Sequence, residues 1–203
     1  MMKKIYRTGA ALLMILLLAG CSSKKAETEP ETDPADQAYP ITIGDTEIVV
    51  GETSVGTLLD AGFMITVSDM DSQKNITVYE IDPAQELEAN SYYTGGTLRK
   101  DDIIYGNISI ITVEAGPMGD AVVARLELDG YDFDKSAVKF AGVPLNELTN
   151  EKVQEVAEGL TGDEYMQFYK GDEYEVFFGF DTEGGLTKVS MEKKYDIDWT
   201  KKE

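Results

Sequence analysis

The chain has no histidine and a single cysteine, Cys21. Without histidine it lacks the side chain that most often acts as a general base near neutral pH and as a transition-metal ligand. A lone cysteine can close no internal disulfide and build no thiolate zinc site. Positive charge is scarce: 18 Lys and Arg stand against 38 Asp and Glu. Lys3, Lys4 and Arg7 are the basic residues before position 21, and no acid precedes it. The chain from Cys21 onward therefore carries 15 basic and 38 acidic side chains, a formal charge of −23. Such a chain cannot displace counterions from a phosphate backbone, which excludes nucleic acid as a partner, and anionic lipid headgroups repel it. Its excess acid serves solubility at an exposed surface. Phosphate-cradling and acyl-transfer signatures are also missing: there is no G-x-x-x-x-G-K-[ST] loop, G-x-G-x-x-G turn or G-x-S-x-G elbow.

What is present starts at the amino terminus. Residues 1–7 (MMKKIYR) are positive, and residues 8–20 are uncharged and mostly apolar. A bilayer span takes about 20 such residues, so this shorter run suits the core of a signal peptide. It ends in Leu18-Ala19-Gly20-Cys21. These residues resemble the lipobox of bacterial lipoproteins. The resemblance covers positions 1–21. It implies diacylglyceryl transfer to the Cys21 sulfur, then cleavage before Cys21 by a signal peptidase that recognises Leu18, Ala19 and Gly20. It further implies an extracytoplasmic protein held by its lipid at the outer face of the cytoplasmic membrane, in a Gram-positive host. Two acyl chains hold where one is marginal, because burial is worth about 0.8 kcal/mol per methylene.

Residues 22–40 (SSKKAETEPETDPADQAYP) hold three prolines and closely spaced acids, with no apolar periodicity. That composition predicts a disordered spacer with a reach on the order of 23 Å for about 18 residues.

From Ile41 the pattern predicts an α+β fold, mainly antiparallel sheet with one or two short helices packed on it. Two adjacent, similar small units are expected: residues 41–134, β-rich with a short helix, and residues 135–203, a helix with an antiparallel sheet. In the first unit, strands at 41–43 and 47–50 flank Gly44-Asp45, and Thr53-Ser54 cap a helix that Gly62 stops. Strands are then expected at 63–67, 75–81, 88–94, 103–113 and 121–129. The turns between them fall at Gly95-Gly96, at 99–102 and at 116–119. In the strand at 121–129, Val122, Ala124, Leu126 and Leu128 share one face. The second unit reads as a strand at 137–140, a helix within 146–159, a hairpin of 174–180 with 185–191, and a last strand at 195–199. A faint repeat ninety residues apart matches Ile48, Val50, Val55 and Leu58 with Val138, Phe140, Leu145 and Leu148.

Phe140-Ala-Gly-Val143, the helix after it and the hairpin at 174–191 resemble the helix-on-sheet modules of β-lactamase-inhibitor-protein-like domains. Modules of that kind occur in envelope lipoproteins of low-GC Gram-positive bacteria. The resemblance spans about residues 137–199 and implies a protein-binding scaffold, with no family contact residue carried over.

Three groups of residues were weighed as sites. Asp129, Asp132 and Asp134 have the spacing of calcium ligands, but Ala137 and Val143 occupy the sixth and twelfth positions counted from Asp132, so a solvated turn is the favoured reading. Carboxylate pairs could serve a glycosidase, yet with 38 acids the sequence nominates none. Tyr92, Tyr93 and Phe177 are candidates for a binding surface, alongside Tyr165, Phe168 and Tyr169. Tyr174, Val176, Phe178 and Phe180 share a strand face and read as core. No cofactor is expected. The leading functional expectation is a tethered, non-enzymatic binding module for an envelope protein or extracellular ligand. Its rivals are a carboxylate-dependent cell-wall or glycan hydrolase and a calcium-responsive structural or adhesion lipoprotein.

Overall fold

The computed structural model describes residues 33–70, 73–130 and 132–196. The expected lipobox Leu18-Ala19-Gly20-Cys21, the spacer up to position 32, and Ile197 and Trp199 of the expected last strand lie outside these residues. The described residues belong to one compact unit. In chain order it runs β1 (Ile41–Ile43), β2 (Thr46–Ile48), α1 (Val55–Asp60), β3 (Met64–Met70), β4 (Ile76–Glu80) and β5 (Glu86–Leu87). Next come β6 (Ser91–Lys100), β7 (Ile103–Thr112), β8 (Gly116–Pro117), β9 (Val122–Asp129), β10 (Val138–Phe140) and β11 (Val143–Pro144). The chain closes with α2 (Asn150–Val156), β12 (Thr161–Gly162), β13 (Met166–Lys170), β14 (Tyr174–Phe180) and β15 (Leu186–Lys193). This is an antiparallel α+β fold with two short helices, as the sequence predicts.

Nine strands form one sheet in the order β12-β13-β14-β15-β9-β7-β6-β3-β4, and four form a small sheet, β11-β10-β1-β2. One face of the large sheet is buried. Ile65, Val67, Leu98, Ile108, Leu126, Val176, Phe178 and Met191 pack there in a single core with Ile41, Ile43, Ile48 and Phe140 of the small sheet. Val55 and Leu58 of α1 and Val153 of α2 close the same core. The Phe140 and Phe178 rings meet edge to face, with centroids 4.9 Å apart, a geometry that aligns ring edge with ring face electrostatically. Both helices start at the expected kind of cap. The Ser54 hydroxyl accepts from the Thr57 amide, and the Thr149 hydroxyl from the Lys152 amide. The second helix, about two turns long, lies within the predicted 146–159 and follows a 3-10 turn at Leu145–Glu147.

The two-unit expectation does not describe this architecture. The large sheet runs through the boundary at 134, since β9 pairs with both β7 and β15, and β1 pairs with β10 in the small sheet. The repeat is also offset. A hairpin followed by a capped helix does recur, but Ile41 corresponds to Val138 and Ser54 to Thr149. The residues ninety apart put β2 on β10, so those four apolar matches are coincidental.

Two local expectations also change. Gly95-Gly96 is not a turn: β6 continues through it, with a register shift between Tyr93 and Gly96. A Cβ on Gly96 would lie 2.0 Å from the Thr66 carbonyl oxygen, so the glycine permits a close strand approach as well as a bulge. The turn expected at 99–102 is the one that joins β6 to β7, at Asp101 and Asp102, both with positive φ. In β9, a shift opposite Ser109 and Ile110 makes Val123, not Val122, the fully buried residue.

Residues 33–40, expected to be spacer, are seated on the fold. Ala35 and Tyr39 are buried. The Tyr39 hydroxyl accepts from the Glu158 amide at 3.0 Å. The Asp36 carboxylate accepts from the amides of Asp172 at 2.7 Å, Glu173 at 2.9 Å and Tyr174 at 2.7 Å. Gly171 leaves the room, because a Cβ there would lie 2.2 Å from Asp36 Oδ1. Proline and acid suggested a solvated tether, but the side chains of Ala35, Asp36 and Tyr39 each find a partner far along the chain.

Candidate binding surface

The other face of the nine-stranded sheet lies open over β13, β14, β15 and β9, and strand register sorts its side chains into three rows. In the first row, Lys170 faces Glu175, Glu175 faces Glu192, and Glu192 faces Arg125. In the second, Phe168 faces Phe177, Phe177 faces Ser190, and Ser190 faces Glu127. In the third, Met166 faces Gly179, Gly179 faces Lys188, and Lys188 faces Asp129. Met166, Phe168, Lys170, Glu175, Phe177, Lys188, Ser190, Glu192 and Arg125 of these rows line a groove of about 470 Å³. Its floor is apolar at the β13 end, where Met166 and Phe168 are 39% and 37% exposed. Its acids are paired with neighbouring cations, although Glu175 and Glu192 face each other across β14 and β15.

The matching is close. Lys188 reaches Glu127 at 3.0 Å and Asp129 at 3.3 Å, while Arg125 bonds Glu127 and lies 3.8 Å from Glu192. At the other end Glu175 takes Lys170 at 2.9 Å and Lys194 at 3.1 Å. The Lys188 ammonium also sits 5.8 Å from the centre of the Phe177 ring, close enough for a cation–π contact. Burial works against ionisation of Glu127. The Lys188 hydrogen bond and the charges of Arg125 and Lys188 outweigh it and hold the carboxyl below its ordinary range. Glu175 behaves alike: burial opposes its charge, and Lys170 and Lys194 together win.

Of the predicted surface aromatics, Phe168, Phe177 and Tyr92 reach this face and Tyr93 does not. Phe177 lies in the groove. Tyr92 stands further along the same face, with its hydroxyl bonded to Ser109; burial pushes its phenol up and the Glu192 charge adds to this. Tyr93 packs against the core on the opposite side. Tyr169 borders the groove and donates to Asp33 at 3.1 Å. Partial desolvation, then the Asp33 carboxylate, push its phenol up to about 12.

Asp129, Asp132 and Asp134 do not converge. Asp129 belongs to the Lys188 pair, whereas Asp134 accepts from the Ser136 amide and hydroxyl at 2.9 and 2.7 Å. Among the described residues no three Asp, Glu, His or Cys side chains gather as a metal-binding group. The lipidation and recognition residues Cys21, Leu18, Ala19 and Gly20 fall outside the described part.

Phe168 is among the aromatics the sequence nominates, whereas its strand, Met166, Arg125, Lys188 and Glu192 are not. The alternation Met166-Gln-Phe168-Tyr-Lys170 is a strand signal, and buried Gln167 confirms the period of two. Which residue faces which across four strands is a matter of register, and no short motif encodes it. Comparison with family models, curated proteins and solved structures returns no match.

Proposed function

We propose that this chain is a membrane-anchored extracytoplasmic lipoprotein whose folded body is a non-enzymatic binding module. It engages an envelope protein or extracellular ligand across the open sheet face. The anchor rests on Leu18-Ala19-Gly20-Cys21 and the positive and apolar segments before it. Binding rests on the groove, an apolar floor at Met166, Phe168 and Phe177 beside charges of both signs held in fixed pairs.

The same pairing speaks against the hydrolase reading. A glycosidase needs one carboxyl kept protonated near neutral pH. Glu175 in the groove is instead held ionised by Lys170 and Lys194, and Glu127 on the same sheet face by Lys188 and Arg125. The calcium reading gains no observation, since Asp129 is committed to Lys188.

Two measurements test the proposal. Cys21→Ser should move the protein out of the membrane fraction of its host; equal membrane retention would remove the anchor. For the groove, a photo-crosslinking side chain at position 168 of the full chain should give a discrete adduct in living cells. Phe177→Asp should abolish that adduct, and the same probe at exposed Lys139 on the β10–β11 hairpin should give none. Silence at position 168, or an adduct indifferent to Phe177→Asp, would overturn the groove as a binding surface.

A further inference from the structure

The far edge of the large sheet is built differently from the near one. The near edge is β12, two residues long, which leaves little backbone for another chain to pair with. β4 at the far edge has five residues, Ile76-Thr-Val-Tyr-Glu80, with no proline, and pairs only with β3 among the described residues. Short strands, prolines and inward charges normally guard an edge against pairing with another chain. β4 uses none of them. It also shows Ile76 and Val78 at 67% and 60% exposure.

The direction of its backbone groups follows from one bond. The Ile81 amide donates to the Ile65 carbonyl at 3.0 Å, in line with the ladder that sets Thr66 against Glu80 and Val67 against Tyr79. In an antiparallel ladder such bonds recur at every second residue. Thr77 and Tyr79 therefore direct their backbone groups at β3. Ile76, Val78 and Glu80 present theirs at the open edge. Register with Thr66 and Ser68 puts the side chains of these three residues on the open face of the sheet.

We propose that this edge is a self-association surface, where a second copy of the chain adds its own β4 antiparallel about a twofold axis at Thr77. The stretch from Lys74 to Glu80 is complementary to itself in that register. Ile76 comes opposite the second copy's Val78, and Val78 opposite its Ile76, so the exposed β-branched side chains cover each other. Lys74, in the turn two residues ahead of the strand and with positive φ, comes to the same end of the interface as the second copy's Glu80, and Glu80 to that of its Lys74. Each of these pairs occurs twice, as a twofold interface requires. The outward backbone groups of Ile76 and Val78 then complete the ladder between copies. In a chain this acidic, one of its few lysines stands where it meets an acid of its own copy. The edge lies at the opposite end of the sheet from β13, so this proposal and the groove reading stand or fall separately.

Sedimentation of the full chain in nonionic detergent over a range of concentrations tests it. A monomer–dimer equilibrium is expected, with Val78→Lys raising the dissociation constant at least tenfold. Lys74→Glu and Glu80→Lys should each weaken the dimer several-fold, and the double reversal should restore it, which also decides the matter if Val78→Lys perturbs folding. Register is read separately. In this pairing Thr77 faces its own copy in a non-hydrogen-bonded pair with Cα atoms about 4.5 Å apart, within disulfide reach. Thr77→Cys should therefore form a 77–77 disulfide, identified by peptide mass, and Glu80→Cys should form none. A chain that stays monomeric throughout, a dimer indifferent to Val78→Lys and to the charge reversals, or equal crosslinking at 77 and 80 would overturn the proposal.

Discussion

Asp36 holds three consecutive amides with one carboxylate. Partial burial opposes its ionisation, but the amides of Glu173, Tyr174 and Asp172, helped by Lys194, bring its pKa below the ordinary 3.8. A carboxyl that ionises more readily folded than unfolded stabilises the fold fully above the unfolded value. That contribution is lost as pH falls through the folded one. Asp36→Asn should therefore cost about 1–2 kcal/mol in urea unfolding at pH 7, discounted for solvent access, with the deficit shrinking below pH 4. Glu127, Asp134 and Glu175 are shifted in the same direction, so the unsubstituted protein should lose stability steeply on the acid side. On the alkaline side, burial pushes the Tyr195 phenol up to about 12, and Tyr169 is shifted as far. An absorbance titration should find both ionising well after the ordinary value of 10, with Tyr169→Phe deleting one late step.

Gly96 is where β6 and β3 come too close for any side chain. Gly96→Ala should destabilise by several kcal/mol, roughly 2–4, because the nearest atom is a backbone oxygen that cannot swing aside. Ser54→Ala, which removes only the cap of α1, should cost about 1 kcal/mol in the same denaturant assay. The two positions mark what the sequence could and could not tell. Ser54, the strands at 103–112 and 174–180, and the Asp181 hairpin follow local rules: a capping hydroxyl, alternation, a turn carboxylate. Gly95-Gly96 satisfies a local rule as well, and the rule points wrongly, because pairing with Ile108 on one side carries the strand straight through. β13 went unnoticed for a related reason. Its apolar residues fall on the open face and its buried one is Gln167, the reverse of the usual pattern. Gln167 is held inside by donating to the Asp163 carbonyl at 2.8 Å, a partner no linear reading supplies. The groove inherits the same gap, since its rows exist only once four strands are in register.

Because β9 sits between β7 and β15, and β1 between β2 and β10, neither half of the chain holds a complete sheet of its own. Thermal unfolding should be one transition, with near- and far-ultraviolet circular dichroism coinciding. Fragments 41–134 and 135–203 should fail to fold apart. Two separated transitions would restore the two-unit organisation. The same continuity puts the groove and the β4 edge at opposite ends of one rigid sheet, so a partner in the groove leaves the edge free.

The strap at 33–40 also decides where a pull on the amino terminus is felt. Were the chain held by its amino terminus, as the proposed anchor requires, a pull there would without the strap reach β1 and its pairing with β10 first. With Asp36 locked to three amides and the Tyr39 ring centred 5.5 Å from that of Phe140, the load enters at the start of β14, the third strand from the β12 end of the long sheet. The device works like the collar on an electrical cable, which takes up the jerk so that the soldered joint behind it never does.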